Sequence, residues 1–293
     1  MVEERVIWRD IFRDVKNNGK LSAPRGQEII EVENYHYELP PYVRFCSLAP
    51  RKLKLDYVRE ELLWYLRGDP YDLSILNHSN IWKNIVQMGR LNSNYGHAFF
   101  RRGGFDFVVS QLGEDKDSRR ACITILKEKN LRLETLDVPC TVYLNFRIRE
   151  DRLNMSVHMR SQDAVFGMGN DAPAFSFLQE MVLKMLQHTK YPELQMGTYH
   201  HTADSFHVYT KRHAKMLEEL VAEDVVLDAV EVPRILNWEE VDHLTHEIRS
   251  KETKEEYLFS RWLLRTWPLS LPTSSLCEEL DKQTPAWKEG DLA

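Results

Sequence analysis

Four cysteines, Cys46, Cys122, Cys140 and Cys277, are scattered without a C-x-x-C pair. That spacing argues against both a zinc site and a disulfide framework, so each is by default a small buried hydrophobe. A cysteine becomes a nucleophile only where positive surroundings favour its thiolate. Glu61 stands beside Leu62-Leu63-Trp64, and that apolar flank predicts a buried carboxyl of tuned proton affinity. His207 and Tyr209 alternate and therefore share one face of a strand. Arg119-Arg120, taken alone, reads as a solvated surface pair. His200, His201 and His213 read as core or surface residues, and with no carboxylate-rich ligand set beside them no metal is expected.

The elements that must hold these groups are partly visible. Residues 57–67 carry Val58, Leu62, Leu63 and Leu66 at helical spacing and stop at Gly68. Runs 140–148 and 152–159 read as strands joined by Arg149-Glu150-Asp151 into a hairpin. Apolar positions from Phe175 to Leu186 predict a helix from Ala172 to about residue 187, with Asp171 as its N-cap. A short strand over Phe206–Tyr209 leads into a helix at 210–223. Beyond about residue 235 the pattern weakens, and Trp238, Trp262, Trp267 and Trp287 stand among charges and prolines. The expectation is a mixed α/β (α+β) domain over 1–235 and a C-terminal extension over 236–293.

Composition is that of a globular chain: 43% hydrophobic and 29% charged over 293 residues. A net charge of −6 argues against a nucleic-acid surface while leaving room for a local basic pocket. No apolar run approaches a membrane span, and the start MVEERVIWRDIF lacks the form of a signal peptide, so the expected location is cytoplasmic.

Several segments, in order, resemble the thymidylate synthase superfamily: Glu61 to Gly68, Ile81-Trp82, Asn94-Tyr95-Gly96, Asp117 to Arg120, Pro139-Cys140, Arg160-Ser161-Gln162-Asp163 with Gly167, and His207-Val208-Tyr209. They cover roughly residues 20–213. The resemblance implies a thymidylate synthase-like fold, a mixed β-sheet packed with helices, dimerising through the sheet. It implies that Cys140 adds to carbon 6 of a pyrimidine nucleotide, so that carbon 5 can attack a one-carbon unit. It assigns the phosphate to Arg160 and Ser161 of one subunit and Arg119 and Arg120 of the other, with Arg25 in the remaining arginine position. It assigns the sugar hydroxyl to His207 and Tyr209, and proton transfers to Glu61 assisted by Tyr95 and Asn145. Trp82, Asp163 and Gly167 match the folate-contacting positions, so the implied co-substrate is 5,10-methylenetetrahydrofolate, with no metal.

Three departures narrow the expectation. Eight residues after Asp163, where dUMP-methylating members resemble one another in having asparagine, this chain has Asp171. A protonated carboxyl can donate to cytosine N3 and accept from its amino group, which points to a cytosine nucleotide. Thr141 follows the nucleophile where those members have histidine, and Glu289 to Ala293 do not resemble their apolar tail. Without that lid, water rather than hydride would complete the reaction. All three resemble the deoxycytidylate and cytidylate 5-hydroxymethylase branch, which implies conversion of dCMP to 5-hydroxymethyl-dCMP. CMP as substrate, a divergent thymidylate synthase or dUMP hydroxymethylase, and a non-catalytic nucleotide- or mRNA-binding homologue remain the alternatives.

Overall fold

Alternating burial along the strands builds one sheet with an apolar inner face and a polar outer one. The computed structural model describes residues 2–242 apart from 133, 229–233 and 236. The strands are β1 (Lys20–Ser22), β2 (Ile29–Leu39), β3 (Cys122–Thr124), β4 (Thr141–Arg149), β5 (Arg152–Met159), β6 (Gln162–Asp163) and β7 (Gln195–Tyr209). The α-helices are α1 (Val2–Asn18), α2 (Leu55–Arg67), α3 (Asn80–Lys83), α4 (Gly104–Glu114), α5 (Gly167–Thr189), α6 (Thr210–Leu220) and α7 (Trp238–Asp242). The strand order is β1-β2-β7-β5-β4-β3, with β6 on β7. β5 and β6 run parallel to β7 and the remaining pairs are antiparallel, so the sheet is mixed.

Leu144, Phe146 and Ile148 of β4 and Leu153, Met155 and Val157 of β5 are buried on the inner face. Helix α5 adds Phe175, Leu178, Met181 and Val182 to the same core. Burying side chains of this size stabilises by roughly 1.5–3 kcal/mol each. Arg44 and Glu180, each 1% exposed, form an ion pair at 2.5 Å inside this core. Tyr143, Asn145 and Arg147 alternate with the apolar residues of β4 and belong to the other face, with Ser156, His200 and Thr202.

The expected helix at 57–67 is α2, ended by Gly68 in the left-handed conformation (φ 61°). The expected hairpin is β4 and β5, turning through Glu150 and Asp151. Two expectations are corrected. Asp171 is not an N-cap: α5 begins at Gly167, and Asp171 lies in its second turn. The start is moved upstream by Asp163, whose carboxylate accepts from the backbone N–H of Val165 (3.0 Å) and Phe166 (3.2 Å). The strand expected over Phe206–Tyr209 is the end of β7, which runs for 15 residues; His200, Thr202 and Asp204 gave it a polar outer edge that concealed the rest. Of the expected extension over 236–293, all but residues 237–242 lies outside the described residues, including Cys277, three tryptophans and Glu289 to Ala293.

Candidate active site

Helix α2 buries Glu61 at 4% exposure among Leu62, Leu63 and Trp64. The hydroxyl of Tyr57, one turn earlier, donates to Glu61 Oε1 at 3.0 Å and accepts from Trp82 Nε1 at 3.0 Å. Glu61 Oε2 is buried with no hydrogen-bond partner among the described residues. Burial, reinforced by Asp171 and opposed by Tyr57 and Tyr65, pushes the Glu61 carboxyl up to about 8. Its neutral form is therefore the resting one at neutral pH, suited to giving and retaking a proton.

Tyr95 reaches the same enclosure because Gly96 lets two backbones meet. A Cβ at Gly96 would lie 1.7 Å from the Tyr65 carbonyl oxygen, so no other residue fits that approach. Asn94 completes the dock by donating to the Trp64 carbonyl at 2.9 Å. Tyr95 then stacks between Tyr65 (5.4 Å) and Phe175 (5.9 Å).

Cys140 immediately precedes β4, and its carbonyl accepts from the Arg160 backbone N–H at 2.9 Å. The Arg160 guanidinium is fixed over the cysteine by the carbonyls of Pro139 (3.0 Å) and Val138 (2.6 Å), with Nη2 3.6 Å from Sγ. Burial raises the thiol above its ordinary range, with Asp171 and Asp137 adding to the effect; Arg160 and, from the loop Pro24–Gly26, Arg25 pull it back. Arg25 itself is exposed and left-handed (φ 52°), which turns its side chain toward Cys140 and Tyr209 at the expense of local strain. Ser161 follows Arg160, between β5 and β6.

Asp171 is the electrostatic centre of the enclosure, acting on Glu61, Tyr95 and Cys140 alike. It keeps some accessible surface yet lies deep, and burial pushes its carboxyl up to about 7, with Asp163 adding to the rise. Gln162 Nε2 donates to Asp171 Oδ2 at 3.0 Å, and Tyr37 donates to Gln162 Oε1 at 3.4 Å. A Cβ on Gly167 would stand 3.7 Å from Asp171 Oδ2, so Gly167 borders the same group. Beneath this turn, buried Arg51 donates to the Val165 carbonyl (2.8 Å) and Asn170 Oδ1 (2.9 Å). His207 is buried and Tyr209 half-buried, edge to face at 5.1 Å, with His207 paired in register to Asp163.

Three residues of the expected set stand elsewhere in the chain. Asn145 belongs to the outer face, where it lines a cavity of about 410 Å³ with Arg119, Arg147, His36 and His200. Arg119 and Arg120 are exposed just before β3, and neither guanidinium meets a carboxylate among the described residues. His36, Glu38 and His200 bring their ligand atoms within 4.8 Å of one another on that outer face, Glu38 accepting from both rings (3.4 and 3.0 Å).

Sequence reasoning missed Tyr57, Gln162, Tyr37 and Arg51. Tyr57 had a usable signal, since it precedes Glu61 by four residues on one helix. Gln162 stood inside a recognised motif, whereas Tyr37 and Arg51 reach their partners across more than a hundred residues.

A model of the thymidylate synthase family matches residues 7–250. The chain is 28% identical over 258 residues to a deoxyuridylate hydroxymethyltransferase of Bacillus phage SP01, a match covering 80% of this chain and 65% of that protein. It is 28% identical over 167 residues to the deoxycytidylate 5-hydroxymethyltransferase of Enterobacteria phage T4, covering 53% of this chain and 68% of that protein. A thymidylate synthase of Buchnera aphidicola is 23% identical over 226 residues, 73% of this chain and 82% of that one. No helix among the described residues is long and apolar enough to cross a membrane.

Proposed function

The chain belongs to the thymidylate synthase family, and on that premise we propose that it hydroxymethylates carbon 5 of a cytosine nucleotide, dCMP before CMP. The observation that carries this reading is the state of Asp171. It lies deep in the enclosure, no cation among the described residues offsets its charge, and its carboxyl is pushed up to about 7. A neutral acid there can donate to cytosine N3 while accepting from the amino group, which a carboxylate cannot do.

The co-substrate is 5,10-methylenetetrahydrofolate, which supplies a one-carbon unit at the oxidation level of formaldehyde. The residues fit it: Glu61 Oε2 is an acceptor without a partner beside Asp171, and Trp82, Asp163 and Gly167 border the same enclosure. Cys140 supplies the thiolate that bonds to carbon 6 and leaves in the last step, with Arg160 stabilising its negative charge. Glu61, held by Tyr57, is neutral at rest; once it has given that proton to the leaving amine, its carboxylate positions the water that ends as the hydroxyl and takes a proton from it. Arg25 and Arg160 bind the phosphate with Ser161, and His207 with Tyr209 holds the sugar hydroxyl. Arg119 and Arg120 come from a second copy docked on the outer face of the sheet. Their exposure without carboxylate partners supports that role, as does the cavity that Arg119 lines there.

A second reading, a deoxyuridylate hydroxymethyltransferase, is favoured by the similarity to the phage SP01 protein. One experiment separates them. The purified protein is incubated with methylenetetrahydrofolate and dCMP, CMP or dUMP, and products are identified by mass spectrometry while dihydrofolate absorbance is followed. A hydroxymethyl product from dCMP or CMP without dihydrofolate is expected. A product from dUMP alone would sink the cytosine reading, and a methyl product with dihydrofolate would sink hydroxymethylation.

A further inference from the structure

A neutral carboxylic acid is not, by itself, selective between pyrimidines. One oxygen donates and the other accepts. With the proton on one oxygen it matches cytosine, an acceptor at N3 beside a donor amino group. With the proton on the other oxygen it matches uracil, a donor at N3–H beside an acceptor at O4. An unconstrained Asp171 would therefore pass both bases, and selectivity needs something that fixes the proton.

We infer that Gln162, oriented by Tyr37, fixes which oxygen of Asp171 carries the proton and thereby determines which base the site accepts. The inference rests on the base-reading role proposed for Asp171 and adds the residue that makes that role selective. The Gln162 amide nitrogen is a donor with no lone pair to offer, and it stands 3.0 Å from Asp171 Oδ2. The unprotonated carbonyl oxygen of an acid is the stronger acceptor, so this bond favours the form with Oδ2 unprotonated and the proton on Oδ1. The amide is held on both sides, its nitrogen by Asp171 Oδ2 and its oxygen by a long contact with the Tyr37 hydroxyl at 3.4 Å, and Gln162 is only 2% exposed. Tyr37 is itself immobilised: its ring stacks on His201 at 4.8 Å and 9°, and His201 is bonded to the Tyr199 hydroxyl at 2.7 Å. The chain Tyr199–His201–Tyr37–Gln162–Asp171 thus runs from the buried sheet to the base-reading group. Oδ1–H then meets cytosine N3, and Oδ2, which has a second lone pair, meets the amino group.

Gln162 touches Asp171 and is a positioning residue, so its test is a ratio that general loosening of the site does not move in a set direction. Dissociation constants for dCMP and dUMP are measured by calorimetry on the full chain, followed by kcat/KM for each with methylenetetrahydrofolate. The wild type is expected to discriminate by about a hundredfold, as a bidentate hydrogen-bond pair on a base edge does. Gln162→Leu should bring the ratio to within about tenfold of unity, chiefly through KM. Tyr37→Phe, which keeps the stacked ring, should move it the same way by less. Because the Gln162 hydrogen bond opposes ionisation of Asp171 less than it favours it, Gln162→Leu should also shift the loss of dCMP binding to higher pH. A wild-type ratio retained in both variants overturns the proton lock. A wild type preferring dUMP, with the ratio collapsing in Gln162→Leu, overturns the cytosine reading and leaves the lock standing.

Discussion

The two faces of the sheet treat the same chemical groups in opposite ways. On the outer face Glu38 is exposed; burial raises its carboxyl, but His36 and His200 together outweigh that and hold it below the usual range. In the enclosure against the inner face, Glu61 and Asp171 have no cation among the described residues to oppose burial, and their carboxyls rise to about 8 and about 7. The histidines follow suit: His200 is lowered by burial but partly restored by Glu38, whereas buried His201 falls to about 3. Glu38 and its two histidines are paired and hydrated on the outer face, whereas burial favours the neutral forms of Glu61, Asp171 and His201.

The sharpest test of that contrast is at the sulfur. Cys140→Ser should cut turnover by roughly ten-thousand-fold or more while leaving nucleotide affinity largely intact, since it removes the nucleophile and not the binding groups. Nucleotide conversion and calorimetric affinity would be measured on the same sample. Turnover within tenfold of wild type would remove Cys140 from the chemistry.

Stability should divide along the same line. Glu180→Gln leaves Arg44 as a buried charge without its counter-ion and should cost about 3–5 kcal/mol. Glu38→Gln, where side-chain exposures are 57% for Glu38 and 26% for His200, should cost less than about 1 kcal/mol. Urea unfolding of both variants checks this, and equal losses would break the comparison. Asp171→Asn is next in size. An asparagine amide donates to O4 and accepts from N3–H of uracil, so the dCMP/dUMP preference should move toward uracil by about a hundredfold in kcat/KM. Unchanged selectivity would end the base-reading role of Asp171.

How far these groups were legible in the sequence depended on how local their partners are. Glu61 was legible because its apolar neighbours and helical period lie within one segment, and Cys140 because a motif marks it. The identity of Asp171 was legible but its position was not: Asp171-Ala172-Pro173 has the form of a helix start, yet Asp163 satisfies the upstream amides and the helix begins at Gly167. Strand β2 was not foreseen, because Ile29 and Ile30 sit side by side and left-handed Asn34 (φ 53°) interrupts the alternation that Tyr35, Tyr37 and Leu39 resume. The link from Tyr37 to Gln162 spans 125 residues, and nothing in either neighbourhood announces it. Asn145 illustrates the reverse case, a motif match whose side chain alternation assigns to the opposite face.

The contrast also has a slope with pH, and it carries opposite signs on the two faces. Glu61 and Asp171 have folded-state values near 8 and 7 against ordinary values of 4.5 and 3.8, so between roughly pH 5 and pH 7 the folded chain holds protons that the unfolded chain has released. Their contribution is fully present below the ordinary values and is lost as pH rises through the folded ones. Each group at full slope removes about 1.4 kcal/mol per pH unit. Glu38, held below its ordinary value, contributes stability that is present above that value and lost as pH falls. Urea midpoints measured from pH 5 to pH 8 should therefore fall less steeply in Glu61→Gln and in Asp171→Asn than in the wild type. In Glu38→Gln the slope over that window should change only slightly, since Glu38 is largely ionised in both states there and acts mainly through His200, whose lowering by burial it partly offsets. If the inner-face variants kept the wild-type slope, Glu61 and Asp171 would be ionised in the folded protein, and neither could serve as the proton donor that base reading and catalysis require.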